Sequence, residues 1–459
     1  MVDPRPPVDW AGATVLVCGA GIAGASAVRA LLGRGARVLL ADRSQSDAVA
    51  KLVASGAEFV GSPTTIPDRT DVVVTSPGWR PDHPLLVDAI GSDVEVIGEV
   101  EFAWRLREPG AAPWLAVTGT NGKTTTVRML ESVLRASGAR ALAVGNVGVP
   151  IIDAITSPEP YDVLAVELSS YQLFWSSTVA PAAGALLNIA PDHLDWHGSM
   201  QAYIAAKTRV WDGWLAIGNA DDTNVARLLA SASTPKRVGF TLREPLRGEL
   251  GLRDGMLVDE AFGEDVTLLP AADVRPSGAH NVANALAAAA LARAHGVSAD
   301  AVAEGLRTFV PDPHRNQLIA TRAGVAWVDD SKATNPHAAH ASLDAYPRVV
   351  WIAGGQLKGA PVDELVAAVA DRLAGVVVLG VDRALVVDAV RRHAPEVPLI
   401  EVSSTDDGVM TEVVRAAAGL ARPGDTVLLA PAAASYDMFS GYAARGDAFA
   451  AAIGELDRS

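Results

Sequence analysis

Cysteine is all but missing: the 459 residues hold one, Cys18. No disulfide can form within the chain, so nothing calls for an oxidising compartment. Aromatic residues make up only 5%. Positive charge is in deficit as well, with a formal net charge of −15. Binding a nucleic-acid backbone needs a basic face, so nucleic acid is not expected as a partner. Long apolar runs are also lacking. The greasiest stretch, "NALAAAALARAHG", is broken by Arg293 and reads as a buried helix, not a membrane span. The opening "MVDPRPPVDW" has no apolar core of the kind a signal peptide needs. The expectation is a cytoplasmic protein with no membrane insertion.

What is present is apolar and small. Hydrophobic residues make up 49%, enough for each domain to bury a core. The length suits two to four domains of roughly 100–200 residues each. Strand-like and helix-like segments alternate almost throughout, the mark of parallel sheets crossed by helices. "REPGAAP" and "FVPDPHRNQ" interrupt that rhythm. The reading is an α/β chain of three domains, 1–108, 109–311 and 312–459, each a mostly parallel sheet with flanking helices. The first and last read as Rossmann-like units, the central one as a phosphate-loop ATPase domain.

The first block runs from an apolar strand into Gly19-Ala-Gly21-Ile-Ala-Gly24 and then a helix. A second strand, "ARVLLAD", ends at Asp42. This has the form of a dinucleotide fingerprint. Its physics is only that glycines let a backbone approach a diphosphate at a helix N-terminus. Any nucleotide diphosphate would serve, and a tight turn without a ligand would look the same.

The middle block carries "VTGTNGKTTT". The usual phosphate loop is G-x-x-x-x-G-K-[ST]. Gly122, Lys123 and Thr124 stand where that pattern wants them, but its first glycine falls on Val117. Lys123 can set an ammonium beside phosphates, and the Thr124 hydroxyl is placed for magnesium. "DVLAVELSSYQL" then ends an apolar strand on Glu167, where a second metal ligand belongs. In "NIAPDHLDWH", Asp192, His193, Asp195 and His197 crowd together, which suggests a metal site that matches no structural zinc spacing. Lys207 follows; read alone it is a surface lysine. Asn281 and Asn284 share a helix face, where amides suit a base or ribose and Asn281 could instead be a cap. In "VDDSKATNPHAA", a lysine flanked by an acid and hydroxyls suits an anionic substrate, and Pro336 opens a helix.

Taken in order, "TGTNGKTTT", "GNVG", "ELSSYQL", "DHLDWH", the lysine of "AAKTRVW", "GAHNVANALAA", "PHR" and "DSKATNP" resemble the Mur ligases of peptidoglycan synthesis across nearly the whole chain. The shorter loop is that family's own. "DSKATNP" together with "SPG" at Ser76 resembles the D-glutamate-adding branch. The Asp-Asn-Pro-Arg of the diamino-acid-adding branch is absent, and folylpolyglutamate synthases have His-Asn-Pro where this chain has Thr334-Asn335-Pro336. Those two activities are the alternatives within the fold. A dinucleotide-dependent oxidoreductase would leave the phosphate loop idle, and a nucleotide sensor without turnover would leave Lys207 and "DSKATNP" unexplained.

The resemblance implies a reaction. ATP phosphorylates the carboxylate of UDP-MurNAc-L-alanine, and the amine of D-glutamate displaces phosphate. It also implies roles. Gly119, Thr120, Asn121, Gly122, Lys123, Thr124 and Thr125, with Asn281, Asn284, Arg315 and Asp330, would bind ATP. Lys123 would steady the transferring phosphoryl group. Thr124 and Glu167 would hold one magnesium ion, and His193 a second, helped by Lys207. The matching lysine in the family is carbamylated by carbon dioxide, which turns a cation into an oxygen ligand. Asn146 would lie beside the reacting carboxylate, so that Lys123, Asn146, His193 and Lys207 form the catalytic group. Gly21, Ile22, Ala23, Asp42, Arg43, Ser76, Asn146 and Ser169 would take the UDP substrate. Lys332, Thr334, Lys358, Ser435 and Tyr442 would surround D-glutamate. The expected partners are these small molecules, and the expected state is a monomer. Two departures stand out: Tyr442 where the family often has phenylalanine, and Asn316-Gln317 after "PHR" where it often has an apolar residue and then Glu.

Overall fold

A computed structural model of the chain describes residues 8–263, 265–404 and 408–456. Residues 1–7, the start of the segment read as lacking a signal-peptide core, lie outside them. Among the described residues three sheets carry the fold. In the first, the strands lie in the order Glu58–Gly61, Arg37–Ala41, Thr14–Cys18, Val72–Thr75, Glu95–Gly98, all parallel. The strand Thr14–Cys18 is buried throughout, because helices cover both faces of a parallel sheet.

The second sheet has nine strands. Ala141–Gly145, Val163–Glu167, Trp114–Thr118, Ala183–Leu186, Leu215–Asn219, Lys236–Phe240 and Glu249–Arg253 run parallel. Met256–Asp259 and Val266–Pro270 continue it antiparallel. Trp114–Thr118 lies between Val163–Glu167 and Ala183–Leu186. The loops that follow those three strands therefore open on one end of the sheet, the standard place for a ligand in such folds.

The third sheet has six strands: Gln317–Arg322 pairs antiparallel with Val325–Asp329, and Thr426–Leu429, Val349–Gly354, Leu373–Leu379 and Leu399–Glu401 follow in parallel. The chain packs as two compact units. One is Met1–Ala271 with Ala283–Thr308, holding the first two sheets; the other is Ala272–Val282 with Phe309–Ser459, holding the third. Among the described residues no helix is long and apolar enough to cross a membrane.

Candidate active site

Val117 lies inside the strand Trp114–Thr118 and is buried, so the strand runs on through the position of the usual motif's first glycine. The turn that follows is correspondingly short. The helix Lys123–Ala136 begins directly after Gly122, whose φ of +84° lies in the left-handed region. A Cβ there would sit 2.4 Å from the Asn284 side-chain oxygen. Gly122 thus lets the loop close against Asn284, which also accepts from the Thr126 hydroxyl at 3.3 Å.

The loop is clamped by a residue whose role was not legible in the sequence. Asn188 accepts from the Asn121 backbone N–H at 2.8 Å, and its own amide donates to the Asn121 carbonyl at 3.1 Å. The Asn188 carbonyl accepts from Thr120 N–H. The Thr120 hydroxyl is bonded to Tyr203 at 3.0 Å. Loop amides held in this way keep a fixed geometry for phosphate oxygens.

Two ammonium groups converge on one carbonyl. Lys123 Nζ donates to the Gly119 and Thr120 carbonyls, each at 2.8 Å. Lys207 Nζ donates to the same Gly119 carbonyl at 2.7 Å. The surface reading of Lys207 is overturned: it is 2% exposed, because the helix Met200–Thr208 turns this side inward with Tyr203 and Ala206. Burial pushes its pKa well below the ordinary lysine value, and the nearby Lys123 charge pushes the same way. Asp192 and Glu167 oppose the shift without reversing it.

Glu167 ends its strand, 1% exposed. Its Oε1 accepts from the Asn146 amide at 2.8 Å, while Oε2 is buried without a hydrogen-bond partner. The approach of the neighbouring strand needs Gly145, at φ +103°: a Cβ there would lie 2.3 Å from the Glu167 carbonyl oxygen. An orphaned carboxylate oxygen in a buried site fits a cation. Of the expected cluster of Asp192, His193, Asp195 and His197, the side chains of Asp192 and His193 approach to 3.4 Å, but the four do not converge. His197 turns inward to Ser170 at 3.0 Å, and Asp195 is mostly exposed. Among the described residues no three His, Cys, Asp or Glu side chains converge on a metal. The donors fit magnesium nonetheless, since that ion is held by one or two carboxylates, water and phosphate oxygens.

Ser169, next after Leu168, caps the helix Ser170–Phe174 in a capping box with Gln172. Gln172 in turn donates to buried Glu99 at 2.9 Å, tying this turn to the first sheet. In the first sheet's glycine turn, Gly19 has φ +100°, and a Cβ on Gly24 would lie 1.9 Å from the Gly19 carbonyl oxygen. Asp42 accepts from Ala20 N–H at 2.7 Å and from Arg43 N–H, so its carboxylate orients the turn. Gly21 caps the helix Ile22–Leu32, Ile22 is 78% exposed, and Ala23 follows in its first turn. Ser76 Oγ is buried without a partner beside Gly19 and Gly24.

In the other unit, Asp330 follows the strand Val325–Asp329, accepts from Asn316 N–H at 3.1 Å, and is pushed up to about 6 by desolvation. Lys332 Nζ lies 4.0 Å from the Tyr442 ring centroid, and Lys358 Nζ lies 5.8 Å from that of Tyr436. Thr334 precedes Asn335, whose side chain caps the helix Pro336–Leu343, with proline in its first turn as expected. Asn281 lies past the cap position; its amide donates to Ser277 O rather than capping. The Asn316 departure has a backbone reason: its φ is +51°, where asparagine is tolerated and a bulky apolar residue is strained. Gln317 accepts from His314 N–H at 3.1 Å. Buried Arg445 was not anticipated. It donates to Ser331 O and Oγ, both at 2.9 Å, and to Ala433 O at 3.1 Å, bracing the turns that carry Lys332 and Ser435. Arg315 follows His314, which is fixed to Asp329 at 2.6 Å.

A clamped phosphate loop with two lysines and a half-satisfied acid defines an ATP-handling α/β enzyme. The chain belongs to the Mur ligase family. It matches the family's MurD-like N-terminal domain over residues 13–98, its middle domain over 117–292 and its glutamate ligase domain over 314–433. It is 56% identical to the UDP-N-acetylmuramoylalanine–D-glutamate ligase of Thermobifida fusca, over 98% of this chain and 100% of that one. It is 53% identical to the protein of the same name from Streptomyces avermitilis, over 97% and 98%. Among solved structures, UDP-N-acetylmuramate-alanine ligase MurC of Thermotoga maritima aligns with a TM-score of 0.59 at 20% identity, over 96% of this chain and 99% of that one. MurF of Acinetobacter baumannii aligns with 0.58 at 21%, over 86% and 87%. At such identities these two bear on the fold alone.

Proposed function

We infer that this chain is an ATP-dependent ligase that adds D-glutamate to UDP-MurNAc-L-alanine through an acyl phosphate, in the synthesis of peptidoglycan precursors. The observation that carries the chemistry is the convergence of Lys123 and Lys207 on the Gly119 carbonyl beside the half-satisfied Glu167. The choice of amino acid is supported by the named relatives at 56% and 53% identity.

A carboxylate resists attack because its charge repels nucleophiles and oxide is a poor leaving group. Phosphorylation supplies a good one. The protein must then hold crowded anions in line and neutralise them. The amides of Gly119 to Thr125 would cradle ATP phosphates, with Lys123 swinging from the loop carbonyls to the transferred group. Asn146, fixed by Glu167, would orient the acceptor carboxylate. Thr124, Glu167 and His193 would hold magnesium, two ions in the full site, whose charge screens the phosphates when bound. Carbon dioxide on Lys207 would make a carbamate, an anionic oxygen donor; the shift toward a neutral amine favours that reaction.

Residues 1–108 would take the UDP end through Gly21, Ile22, Ala23, Asp42, Arg43 and Ser76, with Asn146 and Ser169 from the central domain, 109–311. Asn281, Asn284, Arg315 and Asp330 would complete the ATP site. In 312–459, Lys332 and Lys358 give two cations for the two carboxylates of glutamate, with Thr334, Ser435 and Tyr442 around them. The protein would work as a cytoplasmic monomer, where ATP and nucleotide-linked sugars are.

The test is direct. The protein is incubated with ATP, magnesium and UDP-MurNAc-L-alanine, and single amino acids are added. D-glutamate is expected to release phosphate well above every other. If it releases no more than L-glutamate or a diamino acid, the assignment fails.

A further inference from the structure

His193 stands at a backbone position that an ordinary residue avoids, φ +54° and ψ +28°. It opens a single helical turn, Leu194–His197, which Gly198 closes, again at positive φ. So short a helix has few bonds of its own. Trp196 and His197 N–H reach the His193 carbonyl, and Gly198 N–H reaches that of Leu194. The carbonyls of its last residues have no partner within the turn.

One of them is satisfied from another sheet. Arg80, in the loop after the first sheet's strand Val72–Thr75, donates through Nη2 to the Asp195 carbonyl at 2.9 Å. Its guanidinium is already oriented by Asp82, which accepts from Nε at 3.0 Å and from Nη2 at 3.2 Å. A cation bonding to the C-terminal carbonyls of a helix both fills an orphan acceptor and opposes the negative dipole end. The Asp195 carboxylate, 3.9 Å from Nη1 and 84% exposed, adds little, as surface ion pairs do. The neighbouring Trp79 lies against the glycine turn: its Nε1 is 3.2 Å from where a Cβ on Gly19 would stand. One short loop therefore touches the glycine turn through Trp79 and the His193 turn through Arg80.

We propose that Arg80 is a positioning residue: a C-terminal cap supplied by the first domain that holds the His193 turn in its strained, working conformation. Its bearing on turnover rests on the ligase reading above; its effect on the turn does not. The test has an arm for each. In the apo chain, Arg80→Ala and Arg80→Gln should raise amide hydrogen exchange over 193–198 by roughly 10-fold, with the helix Lys123–Ala136 unchanged and the affinity for UDP unchanged. In the ligase assay the same variants should lower kcat by roughly 10-fold while the KM for UDP-MurNAc-L-alanine stays within about 2-fold, the pattern of misplaced catalytic groups. Arg80→Lys should recover part of both. Unchanged exchange over 193–198 overturns the proposal. So does weakened UDP binding with unchanged exchange, which would make Arg80 a diphosphate contact instead. The exchange result stands even if the chain proves to ligate another amino acid.

Discussion

An ammonium sealed from water is costly as a cation, and Lys207 is such a group. Its acceptor, the Gly119 carbonyl, is shared with Lys123. The Tyr203 ring, 4.7 Å from Nζ, completes the wall on one side. A neutral amine in this place can react with carbon dioxide; a charged one cannot. Replacing Lys207 with alanine should lower ligase turnover by roughly 100-fold or more, the scale of losing one preorganised charged group at a phosphoryl centre. The lost group is an oxygen donor in this scheme, so a small carboxylic acid such as formate should restore part of the rate. Phosphate release by the mutant, with and without added acid, checks both statements. Full activity in Lys207→Ala would remove the carbamate from the scheme. The lysine could be quoted from the sequence, but its burial could not. Helical spacing alone does not say which side of Met200–Thr208 meets the protein.

The loop and helix of the phosphate site pose a different question, that of backbone conformation. Gly122 starts the helix Lys123–Ala136 from the left-handed region, and the space where a Cβ would stand belongs to Asn284. Gly122→Ala adds a left-handed penalty of about 1–2 kcal/mol to a contact that must be relieved. The loop amides should then turn away from phosphate. The expected outcome is a lower Tm and affinity for a non-hydrolysable ATP analogue weakened by at least about 10-fold, following from roughly 1.4 kcal/mol per decade. Calorimetry on the mutant checks it; unaltered affinity would mean the loop is not the ATP site. Much of this element was legible. Strand, Gly-Lys-Thr and helix are local features, and Glu167 at a strand end follows from the unbroken apolar run, residues 163–166, that precedes it. The clamp by Asn188, the Gln172–Glu99 bond and the Arg445 brace were not, because each joins segments far apart in sequence. The crowd from Asp192 to His197 misled for the same reason. Proximity along the chain drew four candidate ligands together, and the fold sent His197 inward to Ser170.

At the scale of the molecule, the first and second sheets meet along a seam that carries two buried acids whose pKa values are pushed in opposite directions. Glu101 accepts from Ser177 N–H, Thr178 N–H, the Thr178 hydroxyl and Arg105. Burial alone would raise its pKa, but these donors more than offset that and hold it below the usual range. Glu99 accepts from the Gln172 amide and from its own backbone N–H, but its Oε2 is buried without a partner. Burial therefore wins, and its pKa is pushed up from 4.5 to about 7. The sign follows from proton counting. Between those two values the unfolded chain has lost this proton and the folded one keeps it, so raising the pH favours unfolding. The stabilising contribution is complete below about 4.5 and is lost as pH rises through about 7. The full difference corresponds to roughly 3 kcal/mol. Glu99→Gln keeps an oxygen acceptor for Gln172 and cannot ionise, so it should escape this loss. Urea unfolding of the two proteins at pH 5 and pH 8 isolates the effect, because every other titrating group is common to both. The stability of Glu99→Gln relative to the parent should rise by about 1–3 kcal/mol between the two pH values. An equal difference at pH 5 and pH 8 would mean that Glu99 is already ionised in the folded protein, with water or a cation on Oε2, and that the seam is held by two charged acids rather than one.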